Sequence, residues 1–402
     1  GGKMKKIVTC IISLLILTSV VSAETIGKRI FEIKVDADVT ATNNAFGISE
    51  FFQEEAVIDL PKIYKDLPKK GFVTGFTEET NIALSLNILG VKAGFETGLD
   101  GNVTLGLSKD LFKFLGQGNK INEPMEFTSN SQVDLFAYFK TPVSFKVQGI
   151  SISATPSIFV PLVHAEMGKS GATITNTEEG TIKIDGLYSL LVESGIDAGI
   201  IETREFTGSP SSILGTSGFD LALGVKVPLF LGLQVTGDVH LPVVPGKLVS
   251  KVETSGDFSY AINLMNPDEN SPFNMNTGDI EIGTHTGSIN RPLTMMAGVE
   301  WKPLLDMVKI DGSIGCGVRY PFSKRAYFYP QYHAGASISL LRILGASVST
   351  EYINEMFRHE AGMMFNVRAL EIDTGVSLAG SDFKNSLRGK GFGAYFTFCF
   401  GF

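Results

Sequence analysis

The side chains best suited to chemistry in this sequence are its five histidines and the carboxylates near them. His240 lies two residues after Asp238, so both fall on one face of a strand, the nearest approach to an acid–base pair in the chain. A hydrolase needs such a pair within hydrogen-bond reach of a nucleophile. We favour the alternative that both are ordinary polar positions of a strand.

The other histidines and the glycine-rich pieces offer less chemistry. His333 falls on a polar strand face, and His164, His285 and His359 lie near strand ends or loops, where solvated histidines are common. The spacing of His and Cys does not match a metal site. The glycines of 312–317 precede no helix and therefore do not form a phosphate loop. The sequence predicts neither an enzyme nor a bound cofactor or metal.

Charged residues of both signs alternate with apolar residues along many segments. In a sheet that closes into a barrel, one such face lines the lumen and the other meets lipid. An ion-selective pore is expected to show one sign at its constriction. The mixed signs therefore favour charges that pair and keep the lumen polar. The candidate lumen positions are Asp220, Lys226, Asp238, His240, Asp311 and Arg319.

The stretch 391–402 is the clearest structural signal. Phenylalanines fall on one side of a period-2 strand, and glycine, threonine and cysteine fall on the other. A bare aromatic face requires an apolar partner, and lipid is the simplest one. The stretch resembles the closing strand of a bacterial outer-membrane β-barrel, whose end the barrel assembly machinery recognises. The residues of this candidate assembly signal are Phe396, Phe398, Phe400 and Phe402.

The first residues have the pattern of a secretory signal peptide. Lys5 and Lys6 precede an apolar run from Ile7 to Val21, and Ala23 completes a small-residue cleavage site. The run is shorter than the ~20 residues of a membrane-spanning helix, which is the alternative interpretation. We therefore expect residues 1–23 to be removed and the mature chain to begin at Glu24.

Composition narrows the class of protein. No later stretch is apolar enough to be a spanning helix, so a membrane-spanning chain of this kind must be a closed barrel. The chain has 34 Lys+Arg and 42 Asp+Glu, and loss of Lys3, Lys5 and Lys6 leaves 31 against 42, a net charge of −11. Such an acidic chain argues against a nucleic-acid partner. A large soluble β protein would also fit the composition.

The two cysteines that remain, Cys316 and Cys399, are expected to be free thiols. Cys316 is in phase with the apolar residues of its strand, whereas Cys399 lies on the small and polar face of its own. Two thiols on opposite sides of a barrel wall cannot form a disulfide.

The alternating segments predict a single antiparallel barrel over residues 24–402, with about 14 to 18 strands. We expect turns at Leu89-Gly90, at Asp100-Gly101 and at Thr141-Pro142, and a bulge at Gly149. Short turns are expected at the periplasmic end and long polar loops at the extracellular end. The side of the polar stretch 263–278 stays open.

A short helical insert interrupts this pattern near the N-terminus. Apolar residues at helical spacing between 42 and 78 suggest either a plug or a periplasmic element, and an ordinary long loop is the alternative. The candidate plug residues are Ile48, Phe51, Phe52, Ile63 and Tyr64.

Taken together, the chain resembles the FadL-like outer-membrane barrels and their uncharacterised relatives. The resemblance rests on the stretch Ala41–Gly47, on Lys109–Phe112 leading into Gly118-Asn119, and on the Phe-rich last strand. FadL itself imports long-chain fatty acids past an N-terminal plug, so the resemblance implies a FadL-like barrel. The Asn-Pro-Ala motif of FadL is replaced by Asn43-Asn44-Ala45, so fatty-acid import itself is not implied.

The sequence thus predicts an outer-membrane barrel, in contact with lipid, that passively passes small molecules, hydrophobic ones included, and that the segment 48–67 gates. The alternative is a structural or surface-interaction barrel that uses its long loops and transports nothing.

Replacing Phe402 with a charged residue tests the interpretation of the last strand. We expect loss of assembly into the outer membrane, measured by fractionation and heat-modifiability, because the aromatic end would no longer be recognised. Unchanged assembly would show that the interpretation is wrong.

Overall fold

The computed structural model describes residues 29–47, 59–168, 170–197, 214–263, 265, 273–303, 307–341, 343–353, 356–367, 369–380 and 382–402. The predicted signal peptide, residues 1–23, and the predicted mature start at Glu24 lie outside this part of the chain. The candidate plug residues Ile48, Phe51 and Phe52 also lie outside it.

Antiparallel strands make up most of the described chain. Short helices accompany them, among them α1 (Leu60–Asp66), α2 (Lys109–Gln117) and α3 (Phe383–Leu387). The strands are β1 (Phe31–Asn43), β2 (Phe72–Ile88), β3 (Val91–Leu107), β4 (Met125–Lys140), β5 (Val143–Val147), β6 (Ile150–Met167), β7 (Ser170–Asn176), β8 (Thr181–Ser194), β9 (Gly218–Pro228), β10 (Leu233–Val244), β11 (Gly246–Asn263), β12 (Asn274–Thr277), β13 (Glu281–Ile289), β14 (Leu293–Trp301), β15 (Val308–Arg319), β16 (Tyr327–Leu340), β17 (Leu344–Ile353), β18 (Met356–Val367), β19 (Leu370–Gly380) and β20 (Gly391–Gly401).

The sheet closes on itself because β1 pairs with both β2 and β20. The pairing registers show that several segments continue one another along a single strand position of the wall. Four pairs (β4 with β5, β6 with β7, β8 with β9, and β10 with β11) and one triplet (β12 to β14) do so. The 20 segments therefore form 14 strand positions of the wall. The all-β antiparallel barrel and its predicted strand number are confirmed.

Two hairpin turns show how the sequence determines the register. Leu89-Gly90 has φ values of 52° and 85°, and Gln148-Gly149 has 50° and 88°, both in the left-handed region that glycine adopts readily. The turn at Leu89-Gly90 was predicted correctly. The predicted turn at Thr141-Pro142 and the predicted bulge at Gly149 are wrong, because Gly149 forms the turn.

The chain passes through Thr141-Pro142 without reversing direction. Proline lacks an N–H and cannot donate to the ladder, so β4 and β5 are separated there. The carbonyl of Pro142 still accepts from Gly94 N at 2.9 Å, which keeps this strand position attached to β3. The predicted hairpin at Asp100-Gly101 is also wrong, because both residues lie inside β3 and pair with β4.

The connections differ at the two ends of the barrel. The short turns at 89–90, 148–149, 229–232, 341–343 and 368–369 share the end at which Phe402 lies. The longer connections, at 44–71, 108–124, 264–273, 320–326 and 381–390, share the other end with two short ones, at 177–180 and 354–355. With the Phe402 end assigned to the periplasm, as the aromatic strand suggests, the longer connections are extracellular. The stretch 263–278, which could not be placed from sequence, joins strands at that extracellular end.

The helical insert is shorter than predicted and lies at this same extracellular end. β1 runs to Asn43 and β2 begins at Phe72, so residues 42–43 and 72–78 of the predicted insert are strand. A periplasmic position for the insert is inconsistent with the orientation just given. In its described part, Ile63 and Leu67 pack against Phe112 of α2. Tyr64 packs at the edge of this cluster, so α1 and α2 form one small apolar unit.

One strand position is interrupted within the wall. β8 ends at Ser194 and β9 continues the same position from Gly218, so 195–217 is an insertion in mid-wall. We also expected the polar stretch 203–218 to be an extracellular loop, but the strands that flank it, β8 and β9, lie at one strand position and not at two neighbouring ones. Gly195 N donates to Pro161 O of β6 at 2.7 Å at the point where the chain leaves the wall.

The outer face of the barrel is apolar. Phe396, Phe400 and Phe402 are exposed, as the aromatic alternation predicted, and Phe398 is partly exposed. Phe392 is exposed on the same face. Equivalent faces of other strands expose Leu84, Ile314, Val348 and Met363. Both described cysteines are free thiols, which confirms that prediction. Because a closed barrel satisfies its backbone internally and this one presents an apolar wall, the chain is a transmembrane β-barrel of an outer membrane.

The helices give no indication of a membrane span. In the part of the chain that the structure describes, no helix is long and apolar enough to cross a membrane.

Substituting Ile314 with Arg tests the lipid-facing wall. Ile314 is 72% exposed in the chain alone, so only a surrounding bilayer gives the substitution a large effect. We expect unfolding in lipid vesicles to become easier by about 2–4 kcal/mol, the cost of a cation near the bilayer midplane. Leu231→Arg, at an 84% exposed turn position, is the control and should change stability by less than about 0.5 kcal/mol. Equal effects would contradict the assignment of the two faces.

Candidate functional site: the barrel lumen

Contacts between distant strands identify the inner face of the wall. Arg358 of β18 reaches Asp38 of β1 at 2.5 Å, although β19 and β20 lie between the two strands. Such a contact is geometrically possible only on the concave side of the barrel. The charged faces of these strands therefore point into the lumen.

Opposite charges pair along this inner face, as the mixed signs predicted. Asp311 accepts His333 Nε2 at 2.7 Å and Lys309 Nζ at 3.2 Å, and Lys140 reaches Glu96 at 3.0 Å. Arg358 also pairs with Glu351 at 3.2 Å and with Glu360. These pairs satisfy charges that would otherwise be costly to hold inside the barrel.

The predicted lumen residues fall into separate groups. Asp220 and His240 come together, with His240 Nε2 3.4 Å from an Asp220 oxygen. Lys226 and Asp238 are exposed side chains of the neighbouring strands β9 and β10. Arg319 lies 5.7 Å over the Tyr329 ring.

His240 does not form the acid–base pair with Asp238 that the spacing allowed. Its Nδ1 lies 2.8 Å from the carbonyl oxygen of Pro292, and its Nε2 faces Asp220. Both ring nitrogens are thus held by structural partners. These contacts fit the alternative interpretation, in which His240 and Asp238 are ordinary polar positions of the wall.

Side chains from several strands contact Arg291 inside the lumen. The sequence analysis did not identify this residue. It lies between β13 and β14, in the short break that Pro292 imposes. Its Nη2 donates to Asp100 of β3 at 2.7 Å, and its Nη1 lies 3.4 Å from Asp220 of β9. Its guanidinium also lies 5.4 Å over the Tyr138 ring. An Arg-Pro dipeptide between two alternating segments was the available signal.

The Arg291–Asp100 contact constrains the shape of the wall. Fourteen strand positions about 4.8 Å apart and tilted by about 40° would enclose a circle about 28 Å across. Two positions five steps apart would then be about 25 Å from each other. A hydrogen-bonded Arg and Asp span only about 13 Å between their Cα atoms. The wall is therefore drawn inward at the level of Arg291.

An apolar cluster fills the space beside Arg291. Its members come from β4, β6, β11 and β13, and Phe159 is completely buried. A Cβ at Gly218 would come within 2.3 Å of the Phe159 ring, and one at Gly246 within 2.9 Å, so glycine at these two positions makes room for it. The cluster is Phe136, Tyr138, Phe159, Leu248 and Ile289.

A second polar group lies nearer the extracellular end. His164 Nδ1 lies 2.6 Å from Asp134, and its Nε2 faces Glu166 at 3.4 Å and Glu193 at 3.9 Å. His285 of β13 reaches Glu193 at 2.5 Å. Above them, Gln132 donates to the phenol oxygen of Tyr320. Burial raises the pKa of Tyr320, and Asp134 and Glu166 add to this effect, so the phenol stays neutral among carboxylates.

The lumen also contains a polar cavity, on the side away from the apolar cluster. It measures about 290 Å3 and lies between β1, β2, β18 and β20. Arg358 binds Asp38 and Glu360 at its edge, and Thr397 donates to Asp36 at 2.7 Å. The lining residues are Asp36, Ala37, Asp38, Glu79, Asn81, Arg358, Glu360, Tyr395 and Thr397. Ala37 is the one aliphatic side chain in this set.

A Ser–His contact lies on the outer face of the wall, and the sequence analysis did not predict it. His359 lies between the lumen-facing Arg358 and Glu360, and its Nε2 is 2.8 Å from Ser386 Oγ. Ser386 donates its proton to Phe383 O at 2.8 Å, and His359 Nδ1 faces the hydroxyl of Thr350 at 3.0 Å. Ser386 is completely buried. This arrangement anchors the β19–β20 connection to the wall.

Within the described residues, no group of three or more His, Cys, Asp or Glu is arranged to hold a metal ion.

No protein-family model matches the chain, and no curated protein matches it. Among solved structures, the Pseudomonas putida toluene transporter TodX is similar at 9% identity and a TM-score of 0.45, over 94% of this chain and 90% of that one. The Ralstonia pickettii toluene transporter TbuX gives 8% and 0.43, over 94% and 90%. The translocator domain of autotransporter NalP from Neisseria meningitidis gives 9% and 0.32, over 99% and 98%. At these identities and TM-scores the likeness shows neither the family nor the function of this chain.

Replacing Arg291 with Ala tests its place in the lumen. Its side chain is 11% exposed and that of Asp220 is 0% exposed, and Asp220 Oδ1 has no hydrogen-bond partner among the described residues. Removing the cation leaves a buried carboxylate poorly paired, which should cost about 3–5 kcal/mol in urea unfolding from vesicles. Arg325→Ala, which breaks a pair whose arginine is 66% exposed, is the control and should cost less than about 1 kcal/mol. Similar costs for both variants would contradict a special role for Arg291.

Proposed function

We propose that this barrel passively transports small molecules across the outer membrane through the polar side of its lumen. The observation that supports this best is the cavity of about 290 Å3 between β1, β2, β18 and β20. A barrel of 14 strand positions is wide enough to hold an aqueous passage wherever side chains do not fill it. The apolar cluster and Arg291 fill one side, and the cavity marks the other.

The lining of this cavity favours water-soluble cargo. Four carboxylates and one guanidinium surround it, and a hydrophobic molecule would have to displace their hydration without replacing it. TodX and TbuX are named as toluene transporters, and a hydrophobic cargo here would need a different route. The buried cluster around Phe159 offers apolar contacts for such a route, but its members pack against one another.

We also propose that the candidate plug segment, residues 48–67, gates the lumen. Its described part, α1, is fixed to α2 through Ile63, Leu67 and Phe112, and this unit extends to Phe72 and Leu107 at the extracellular ends of β2 and β3. A cap attached to the rim of the wall is well placed to control entry. Replacing 48–67 with a Gly-Ser linker should then increase single-channel conductance.

A structural or surface-interaction barrel remains the second candidate. The contacts that cross the lumen favour it, since Arg291 joins opposite walls and Arg325 reaches Glu166 from the far side. A barrel filled by its own side chains would leave the extracellular connections as the place of function.

Planar-bilayer recordings separate the two candidates. We expect the wild-type protein to conduct, with a preference for cations because carboxylates dominate the cavity. Glu79→Lys, which reverses a charge in the cavity, should lower the ratio of cation to anion permeability about two-fold or more. The measurement is the reversal potential in a salt gradient.

Glu78→Lys is the matched control, since Glu78 is the adjacent residue and lies on the opposite face of β2. It should leave the reversal potential unchanged. Folded protein that is silent in every variant would favour the structural barrel. Equal shifts for Glu78→Lys and Glu79→Lys would show that the current does not follow the cavity.

A further inference from the structure

The connection between β15 and β16, residues 320–326, does not extend away from the barrel into solvent. It joins two wall positions, β15 and β16, that are four and five steps from β6, yet its side chains contact β4 and β6. A contact at that distance requires the connection to lie across the mouth of the lumen. We name residues 320–326 the mouth loop.

Two side chains hold the mouth loop against the far wall. Arg325 Nη1 donates to both carboxylate oxygens of Glu166, each at 2.8 Å. The Tyr320 hydroxyl accepts from Gln132, and its ring lies 6.4 Å from the His164 ring, edge to face. Arg325 also lies 5.6 Å over the Tyr320 ring, so the two contacts support each other.

The mouth loop is firmly packed at Tyr320, but its contact through Arg325 is weak. Tyr320 packs on the apolar cluster of the lumen, and Ser323 N donates to Tyr320 O at 3.2 Å. In contrast, the Arg325 side chain is 66% exposed, and water and salt compete for an exposed ion pair. The part that is easiest to break is therefore the contact that crosses the mouth.

The backbone of the mouth loop carries strain that release could relieve. Tyr320 has a φ of 48° and Phe322 a φ of 67°, both in the left-handed region that residues other than glycine seldom adopt. Phe322 is 81% exposed at the tip of the loop. Strained residues persist where surrounding contacts hold them, and they are common in segments that switch between states.

From these observations we infer that the mouth loop is a lid over the lumen, latched by the ion pair between Arg325 and Glu166. The lid lies over the side of the lumen that holds His164 and the apolar cluster, so this inference goes beyond the proposed passage along the cavity between β1, β2, β18 and β20. In the closed state the lid covers the extracellular mouth above His164. Breaking the latch lets residues 322–326 swing away from β6 and lets Phe322 relax its backbone, while Tyr320 stays packed on the apolar cluster. The lid would act at the same end of the barrel as the α1–α2 unit but on the opposite part of the rim.

Chemical labelling below the lid tests this without requiring transport. Gln331 lies on the lumen face of β16 and is buried, so Gln331→Cys in a background with Cys316→Ser and Cys399→Ser reports access. The probe is a charged, membrane-impermeant maleimide added to the folded protein in vesicles. Arg325→Ala should raise the labelling rate about five-fold, the factor expected for loss of an exposed ion pair. Glu166→Gln, which removes the other half of the latch, should do the same.

Lys324→Ala is the matched control, because it removes the same charge from the neighbouring position of the same loop. It should leave the labelling rate unchanged. Rates that do not respond to either Arg325→Ala or Glu166→Gln, or that rise equally in Lys324→Ala, would overturn the lid. Faster labelling of the latch variants without any conductance would keep the lid and reject the transport function.

Discussion

The arrangement of this lumen depends on one buried cation. Arg291 is held by Asp100 from one wall and by Asp220 from another, and it covers the Tyr138 ring. A guanidinium buried to this extent is tolerable only when carboxylates compensate its charge, and the carboxylates in turn depend on it. Because the partners come from strand positions far apart, this local requirement becomes a constraint on the whole cross-section.

That constraint divides the interior into two sides. On one side the wall is close enough for Phe136, Phe159 and Leu248 to pack together, with glycines at 218 and 246 providing the space. On the other side the charged side chains of β1, β2 and β18 surround a cavity. A single barrel thus contains both a packed apolar core, like that of a soluble protein, and a polar cavity. The proposed passage runs through the cavity.

Much of the fold could be predicted from the sequence, because period-2 alternation reports which face meets lipid. The exposed phenylalanines of β20 and the free thiols at Cys316 and Cys399 follow from that phase. The turns were harder to predict from the sequence. Pro142 and Asp100-Gly101 look like turn residues, yet a long strand tolerates a break in one ladder when the other neighbour still holds it. Whether the chain reverses is decided by the partner strands, which local sequence does not reveal.

The candidate site was predictable only in its general character. Mixed charges predicted a polar, paired lumen, but they did not identify which charges cross it. Arg291 and Arg325 lie in breaks between strands, where alternation carries no information, and their partners are 191 and 159 residues away in sequence. Such contacts depend on the curvature of the closed wall. The resemblance to a plugged transporter likewise predicted an insert but not its position at the extracellular rim.

Arg291 draws opposite walls of the barrel together, and the distance between these walls can be measured directly. Pulsed EPR distances between spin labels on the outer face at Leu99 of β3 and Met295 of β14 would measure this in lipid vesicles. We predict one narrow distance in the wild type that lengthens by roughly 5–10 Å in Arg291→Ala, as the wall relaxes toward a circle. Identical distances in the two proteins would contradict the account.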